Sequence, residues 1–390
     1  MDYAKKALEA HKEWKGKLEV KSKPELKTHE DLAIAYTPGV AAPCLEIAKD
    51  PLTSFEYTGR GNTIAVVSDG SAVLGLGNIG GLAGLPVMEG KCVLFKELGG
   101  VNAIPLVLNE QDPDKIVEIV AALEPSFGGI NLEDISAPNC FYIEQKLQER
   151  MNIPVFHDDQ HGTACVVLAA LINAIKLTGK KKEDVKIAFS GAGAAGCAIA
   201  ELLGSYGFRH ILLCNSKGII TSENAKNATQ KDIAEKYNPE NVSGSLADAM
   251  KGADIFIGVS AGNIVSEEMV ASMNDDAIVF AMANPIPEID PALAKKAGAR
   301  IVGTGRSDFA NQINNVLIFP ALFRGALDAG AVRITEGMKI AATEALASLI
   351  SDDELKEDYV IVSALDPRVK DAVSKAVADA AIAEGCVRHG

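Results

Sequence analysis

The segment Pro154-Val-Phe-His-Asp-Asp-Gln-His-Gly-Thr163 decides how the rest of the chain can be arranged. Its apolar first half leads into two adjacent carboxylates, Asp158 and Asp159, and the small apolar residues 164–175 follow. This order predicts a buried strand that ends in acidic residues, and then a helix. In an open α/β sheet, the carboxyl ends of the strands face the crevice where ligands bind. We therefore expect Asp158 and Asp159 to lie at a ligand site.

A second acidic pair occurs upstream in the same kind of context. Residues 128–132 predict a strand, Glu133 and Asp134 end it, and residues 136–150 predict a helix. The order of strand, acidic pair and helix is thus repeated, which is typical of parallel crossover units. We expect an N-terminal α/β domain with a parallel sheet. We also expect a metal site where this domain meets the next one.

A glycine-rich segment indicates the second domain. Residues 185–190 predict a strand, Gly191-Ala-Gly-Ala-Ala-Gly196 follows, and a helix then runs to about Tyr206. This context makes the Gly-x-Gly-x-x-Gly pattern credible as a dinucleotide-binding turn, because its glycines allow the backbone to approach a pyrophosphate at a helix N-terminus. Later strands are predicted near residues 211–216, 254–259, 277–282 and 300–303. Together these elements predict a Rossmann domain.

The end of the second strand of this domain indicates which cofactor it binds. An Asp or Glu at that place would bind the ribose 2′-hydroxyl of NAD. The chain has Asn215, Ser216 and Lys217 there, and none of these would repel a 2′-phosphate. The sequence therefore favours NADP over NAD.

Length and charge limit the domain count and the partners. The 390 residues are 48% hydrophobic, which suffices for two globular domains. We place the N-terminal domain at residues 1–160 and the Rossmann domain at 161–332. A C-terminal helical segment at 333–390 is expected to pack back on the first domain. A net charge of −14, with no basic cluster beyond Lys180-Lys181-Lys182, argues against a nucleic-acid partner.

The cysteines and the first residues of the chain indicate the cellular compartment of the protein. Seven scattered cysteines predict reduced thiols in a reducing compartment. The N-terminus shows no apolar signal core, and the longest apolar run, residues 164–175, is too short to cross a bilayer. We expect a cytoplasmic protein without a membrane partner.

Several single residues allow more than one interpretation. Lys91 precedes an apolar run and is either a lysine held near acids, with a pKa lowered by partial burial, or a snorkelling side chain. Lys96 competes with it for the first role. Asn284, Asn314 and Asn315 suit hydrogen bonds to a carboxylate, a nicotinamide or a ribose, and suit turns and helix caps equally well.

The sequence resembles the malic enzymes of the short microbial type along nearly its whole length. The motifs that carry the resemblance are Ala35-Tyr-Thr-Pro-Gly-Val, Ser68-Asp-Gly-Ser-Ala-Val-Leu-Gly-Leu-Gly, Gly90-Lys91, Asn131-Leu-Glu-Asp-Ile, Phe156-His-Asp-Asp-Gln-His-Gly-Thr-Ala and Asn314-Asn-Val-Leu-Ile-Phe-Pro. The resemblance implies oxidation and decarboxylation of L-malate to pyruvate and CO2. It also implies NAD or NADP as cofactor and Mg2+ or Mn2+ as metal.

The resemblance further implies roles for individual residues. Tyr36 matches the general acid, Lys91 the general base and Asp158 an acid beside this lysine. The implied metal ligands are Glu133, Asp134 and Asp159. The predicted cofactor-binding residues are Gly191, Ala192, Gly193, Ala194, Ala195, Gly196, Asn215, Ser216, Lys217, Asn284 and Asn315. The predicted substrate-binding residues are Asn284, Asn314 and Asn315.

Ala72 departs from the family pattern, and the loop that carries Tyr36 is implied to form an interface between subunits. Many eukaryotic members carry an arginine for a malate carboxylate where this chain has Ala72. Carboxylate recognition is therefore expected from asparagines and backbone N–H groups. Short members are usually homodimers, and the loop that carries Tyr36 is expected to complete a neighbour's site.

Three other functions compete with this expectation. A zinc metallohydrolase could use His157 and His161, which have the i, i+4 spacing of a helical metal pair, although the preceding residues predict a strand. A hydroxy-acid or amino-acid dehydrogenase could use the same two-domain plan without decarboxylation. A nucleotide-binding protein without catalysis is the third alternative.

Overall fold

The computed structural model describes residues 3–73 and 75–388, so Leu74 and both chain ends lie outside it. Its framework is two sheets flanked by helices, which confirms the predicted α/β fold class. The strands are β1 Thr63–Ser68, β2 Asn102–Val107, β3 Gly129–Leu132, β4 Val155–His157, β5 Lys186–Ser190, β6 His210–Asn215, β7 Gly218–Ile219, β8 Ile255–Gly258, β9 Ile278–Ala281 and β10 Ile301–Thr304. The α-helices are α1 Tyr3–Trp14, α2 His29–Ala35, α3 Ala41–Lys49, α4 Ser54–Tyr57, α5 Gly80–Gly99, α6 Pro113–Ala122, α7 Asn139–Arg150, α8 Asp158–Thr178, α9 Ala194–Tyr206, α10 Ala228–Tyr237, α11 Leu246–Met250, α12 Glu267–Ala271, α13 Pro291–Lys296, α14 Phe319–Asp328, α15 Glu336–Ala347 and α16 Arg368–Ala383.

The first sheet has four parallel strands in the order β2-β1-β3-β4. Its central strand reads as a continuous apolar run because helices cover both faces, and residues 64–67 are fully buried. Leu132 of β3 pairs with His157 of β4. The residues that follow these two strands, Glu133 and Asp158, therefore leave the sheet at the same edge.

The second sheet has the order β10-β9-β8-β5-β6-β7. The chain moves from β5 outward to β6 and later returns to the other side of β5 at β8, which creates the topological switch point of a Rossmann fold. The edge strand β7 runs antiparallel to β6 and was not predicted. Its two residues are too few to show a periodic pattern.

Helix α8 joins the two sheets, and its predicted start at residue 164 was wrong. The helix begins at Asp158, so both acids lie in its first turn rather than at the end of a strand. Negative charge is favourable there because the N-terminus of a helix carries unpaired N–H groups. The helix continues to Thr178, and residues 165–171 are fully buried.

The length of α8 also changes the argument about membranes. Within the described residues, Asp158–Thr178 is the one helix long and apolar enough to cross a bilayer, whereas the expectation had considered residues 164–175 alone. Of its most apolar window, 61% is buried inside the protein. Such burial is typical of a core helix.

The last part of the chain returns to the first sheet. Phe319 and Phe323 of α14 pack on Phe95 of α5, with ring centroids 4.6 and 5.4 Å apart. Helix α15 packs against α8, and α16 packs against both α14 and α15. The domain bounds at 160 and 332 stay predictions, because α8 and α14 contact elements on both sides of these limits.

Candidate active site

A cavity of about 750 Å3 opens where the two sheets meet. Its lining includes residues after β3, from the first turn of α8, from the nucleotide loop and from the loops after β8 and β9. Of the predicted site residues, the lining contains Lys91, Glu133, Asp134, Asp159, Ala195, Asn284, Asn314 and Asn315. Ala72, at the place of the missing arginine, also lines it.

Three carboxylates form a cluster in this cavity. Ligand oxygens of Glu133, Asp134 and Asp159 all lie within 4.8 Å of one another. Asp159 Oδ2 also accepts a 2.8 Å hydrogen bond from the backbone N–H of Asp134, which joins the β3 and α8 ends. Asp134 has a φ of 54°, a left-handed conformation that non-glycine residues seldom adopt outside turns and functional sites. An all-oxygen donor set of this kind fits a hard divalent cation such as Mg2+ or Mn2+.

Lys91 lies beside this cluster on α5 and is 8% exposed. Its Nζ is 2.6 Å from Asp158 Oδ2 and 2.8 Å from Glu133 Oε1. Burial lowers the pKa of Lys91, but the carboxylates of Asp158 and Glu133 outweigh burial and raise the pKa above its usual value. The expected lowering of the pKa was therefore wrong for this arrangement of groups. Lys96 is exposed and contacts Asn102, away from the acids.

The acids themselves are crowded. Burial raises the pKa of Asp158 to about 7, against the opposing effect of Lys91. Burial likewise raises the pKa of Glu133 and of Asp159, and repulsion from neighbouring carboxylates adds to both shifts. One lysine thus faces four carboxylates, and added positive charge would favour their ionised forms.

Two residues near the acids were missed by sequence reasoning. Asn131 Nδ2 donates to Glu133 Oε2 at 2.9 Å from the same strand, β3. Glu144 of α7 is buried and accepts hydrogen bonds from His157 N at 3.0 Å and Gln160 Nε2 at 3.2 Å. The i, i+2 spacing of Asn131 and Glu133 is the strand period and could have indicated a shared face, whereas no spacing rule relates Glu144 to residues 13 and 16 positions away.

Glu144 also bonds His161, which removes this histidine from the metal cluster. His161 Nε2 lies 2.9 Å from Glu144 Oε2, and its Nδ1 faces Lys339 Nζ at 3.3 Å. His157 is fully buried, and burial lowers its pKa to about 4. Within the described residues, neither histidine belongs to a cluster able to hold a metal ion. The structure therefore gives no support to the alternative of a zinc pair at His157 and His161.

The nucleotide loop has the geometry that its glycines require. Gly191 has a φ of 110°, and a Cβ added there would lie 2.7 Å from the Val259 carbonyl. A Cβ at Gly196 would lie 2.0 Å from the Gly191 carbonyl, whereas Gly193 faces open space. Helix α9 begins at Ala194, so its N-terminal N–H groups point to the space beside Gly193.

The polar residues after β6 lie near an additional lysine. Asn215 Oδ1 accepts from the Lys217 backbone at 2.8 Å, and Asn215 Nδ2 is buried without a hydrogen-bond partner among the described residues. Ser216 Oγ accepts from Lys226 Nζ at 3.0 Å. Lys226 was missed because it is ten residues away in an irregular loop.

Tyr36 is not brought to the cavity of its own chain. It follows α2, is 67% exposed and does not line the cavity described above. Helices α1, α2 and α3 contain no buried residue within the described part of the chain. The role of Tyr36 stays a prediction.

Two family descriptions match the sequence and together cover most of it. Residues 15–148 match "Malic enzyme, N-terminal domain", and residues 160–384 match "Malic enzyme, NAD binding domain". The chain belongs to the malic enzyme family. Within this family it is of the short bacterial type, as the resemblance implied.

Individual relatives agree over nearly the full length. A Bacillus subtilis (strain 168) protein named bifunctional malic/malolactic enzyme is 57% identical, over 100% of this chain and 95% of the relative. The NAD-dependent malic enzyme of Geobacillus stearothermophilus is 53% identical, over 96% of this chain and 78% of the relative. Among solved structures, malic enzyme from Pyrococcus horikoshii Ot3 is 50% identical, has a TM-score of 0.95, and is matched over 100% of this chain and 92% of that one. Other relatives, named NADP-dependent, are 50 to 52% identical, and this chain spans 51% of their length.

Membership of the malic enzyme family decides between the functions considered from sequence. The protein oxidises and decarboxylates malate to pyruvate with a nicotinamide cofactor. The zinc metallohydrolase, the dehydrogenase without decarboxylation and the non-catalytic binding protein do not agree with this membership.

Proposed function

We propose that the protein is a divalent-metal-dependent malic enzyme that prefers NADP. The observation that carries this proposal is the cluster of Glu133, Asp134 and Asp159 beside Lys91, in a cavity that also reaches the nucleotide loop. When bound, Mg2+ or Mn2+ would polarise the C2 oxygen of malate and lower the pKa of Lys91, and the oxidised nicotinamide would accept the hydride.

The protein's own residues supply the proton transfers. Lys91 takes the proton of the C2 hydroxyl, and Asp158 at 2.6 Å orients the lysine and shares its protons. The asparagines at the cavity wall, Asn284 and Asn315, offer uncharged donors and acceptors to substrate and nicotinamide. After the C3–C4 bond breaks and C4 leaves as CO2, the electron pair left on C3 must take up a proton, and we assign this protonation to Tyr36.

The proposed metal site is tested by removing one ligand. Asp159→Asn should weaken Mn2+ binding by at least about 10-fold, because one charged oxygen donor is lost. Binding is measured as free Mn2+ by electron paramagnetic resonance and compared with the Mn2+ dependence of turnover. Normal affinity in this variant would remove Asp159 from the ligand set. Glu149→Gln, an exposed acid on α7, serves as the control.

The position of Tyr36 supports a shared active site in a homodimer. Large apolar side chains near it are exposed, among them Ile34 at 68% and Leu45 at 62%. We propose that this surface packs on a second copy and that Tyr36 enters the neighbour's cavity. Mixing inactive Tyr36→Phe and Lys91→Ala proteins should then restore activity to about a quarter of wild type, because each mixed dimer has one intact site. No recovery after subunit exchange would contradict this proposal.

The NADP preference rests on the positive charge after β6. Ser216, Lys217 and Lys226 would surround a 2′-phosphate, and no carboxylate occurs at the strand end. Lys226→Met should lower kcat/KM for NADP about 10-fold or more and leave the value for NAD within about twofold, since a charged hydrogen bond contributes about 1.5–3 kcal/mol. The exposed Lys231→Met on α10 is the matched control. Equal or better turnover with NAD in wild type would overturn the preference.

The most similar of the relatives described above favours a second activity. Because the Bacillus subtilis relative is named malic/malolactic, we propose that this protein also converts malate to lactate and CO2. This conversion consumes no nicotinamide cofactor overall, because the hydride taken from C2 of malate is returned to C2 of pyruvate. Lactate formation with a catalytic amount of cofactor tests this proposal, and its absence while pyruvate is formed would refute it.

A further inference from the structure

The cavity contains a second lysine, Lys17, in addition to Lys91. Among the described residues that line it, the two cations are Lys91 and Lys17. Lys17 follows α1, and its Nζ donates to the Pro86 carbonyl of α5 at 2.5 Å. A Cβ added at Gly90 would lie 3.7 Å from the same Nζ. The Lys17 ammonium therefore lies along the turn of α5 that leads directly to Lys91.

The position of Lys17 is fixed by its backbone. Its N–H donates to Glu89 Oε2 at 3.2 Å, and the preceding Gly16 has a φ of 114°, which a side chain would disfavour. Unlike Lys91, which pairs with Asp158 and Glu133, Lys17 forms none of the ion pairs found among the described residues. Glu89 attracts this ammonium, and Lys17 Nζ donates one hydrogen bond, so two of its N–H donors remain for a ligand.

The charge of the cavity indicates what that ligand is. Four carboxylates surround Lys91, and one divalent cation together with Lys91 would still leave one negative charge uncompensated. Malate is a dianion. If its C1 carboxylate bound the cation, its C4 carboxylate would still add negative charge to a cavity that already has an excess of it, and would need a positively charged partner. Ala72 cannot provide it.

We propose that Lys17 binds the C4 carboxylate of malate. This inference rests on the proposed function and adds a substrate-binding residue to it. The contact acts before C4 leaves as CO2, so it contributes to binding and not to stabilisation of the transition state. Loss of Lys17 should therefore raise KM for malate and leave kcat nearly unchanged.

The test compares Lys17→Met with the exposed Lys15→Met in the same loop and with Lys17→Arg. Lys17→Met should raise KM for L-malate about 10-fold or more, with kcat and KM for NADP within about twofold. Lys17→Arg should return KM to within about threefold of wild type, because it keeps the charge. L-2-Hydroxybutyrate, which has a methyl group in place of the C4 carboxylate, should inhibit wild type and Lys17→Met with the same Ki.

Two results would overturn the assignment. One is an unchanged KM for malate in Lys17→Met. The other is a Ki for L-2-hydroxybutyrate that rises in parallel with KM, which would mean that Lys17 acts on the cavity as a whole. If Lys17→Met lowers the melting temperature relative to Lys15→Met, Lys17→Gln replaces it under the same criteria. If wild type itself does not turn over malate, the proposed function fails, and this is seen before any variant is compared.

Discussion

Gly162 is a helical glycine at which helix propensity and packing predict opposite results. It lies inside α8, where alanine in place of glycine is ordinarily stabilising by about 0.5–1 kcal/mol. A Cβ at this position would, however, lie 1.9 Å from Asp158 Oδ1 and 3.2 Å from Asn315 Cβ. The first distance is far below any van der Waals contact.

Asp158 has little freedom to avoid this added methyl group. It is fully buried, and its other oxygen lies 2.6 Å from Lys91 Nζ. Overpacking a buried position costs about 1–3 kcal/mol, of which improved helix propensity offsets up to about 1 kcal/mol. We expect Gly162→Ala to lower the free energy of unfolding by about 1–2 kcal/mol. Displacement of the lysine's partner by about 1 Å should lower kcat about 100-fold.

Gly90→Ala is the matched control, since Gly90 is also helical and its added Cβ would contact only the flexible end of Lys17, at 3.7 Å. This control should gain about 0.5–1 kcal/mol. Stability is measured by urea unfolding followed by circular dichroism, and activity by NADPH formation with saturating malate. If Gly162→Ala were as stable as Gly90→Ala, or retained kcat within twofold of wild type, close packing around Asp158 would not limit stability or position Lys91 for catalysis.

Three further predictions concern buried or paired carboxylates. Glu144→Gln should weaken Mn2+ binding about 10-fold or more relative to the exposed Glu149→Gln, because Glu144 holds the backbone beside the metal-binding acids, and unchanged Mn2+ affinity would contradict this role. Glu288 accepts from two backbone N–H groups in the loops after β8 and β9, so Glu288→Gln should raise KM for NADP more than KM for malate; a larger effect on malate would refute this reasoning. Burial would raise the pKa of Asp254, but its hydrogen bonds, above all the one from Lys180, outweigh burial and lower the pKa. Its stabilising effect should therefore be complete above about pH 4 and be lost as the pH falls through the lowered pKa, so unfolding of Asp254→Asn should differ from wild type at pH 7 and converge with it in acid.

The strands and the acidic pairs could be predicted from sequence because their signals are local. Parallel strands covered on both faces appear as continuous apolar runs; Glu133 follows one such run directly, and Asp158 and Asp159 come soon after the next. Lys91 could be assigned a role only through resemblance. Its raised pKa results from Asp158 and Glu133, residues 67 and 42 positions away, whose placement around one ammonium is a tertiary property.

Neither the start of α8 nor the roles of Lys17 and Lys226 could be predicted, because the sequence near them carries no periodic pattern. Residues 158–163 are polar or small and show no helical apolar period, so the apolar pattern begins at residue 164. The helix starts earlier because Glu144 accepts the N–H of His157 and side-chain bonds from Gln160 and His161. Lys17 is separated from the rest of the site by long stretches of sequence, and no spacing rule relates it to the acids.

The first turn of α8 explains why one short segment dominates the site. Toward the cavity, Asp158 holds Lys91 and Asp159 joins the carboxylate cluster. Toward α7, the neighbouring residues bind Glu144. Burial would raise the pKa of this carboxylate, but the charge and the hydrogen bond of His161 outweigh burial and lower the pKa. An ionised Glu144 holds the backbone at the start of α8 from the side that faces α7, and it does not line the cavity. The turn therefore separates the charge that positions the acids from the charges that take part in the reaction, and a change at Glu144 should alter metal binding although Glu144 touches neither metal nor substrate.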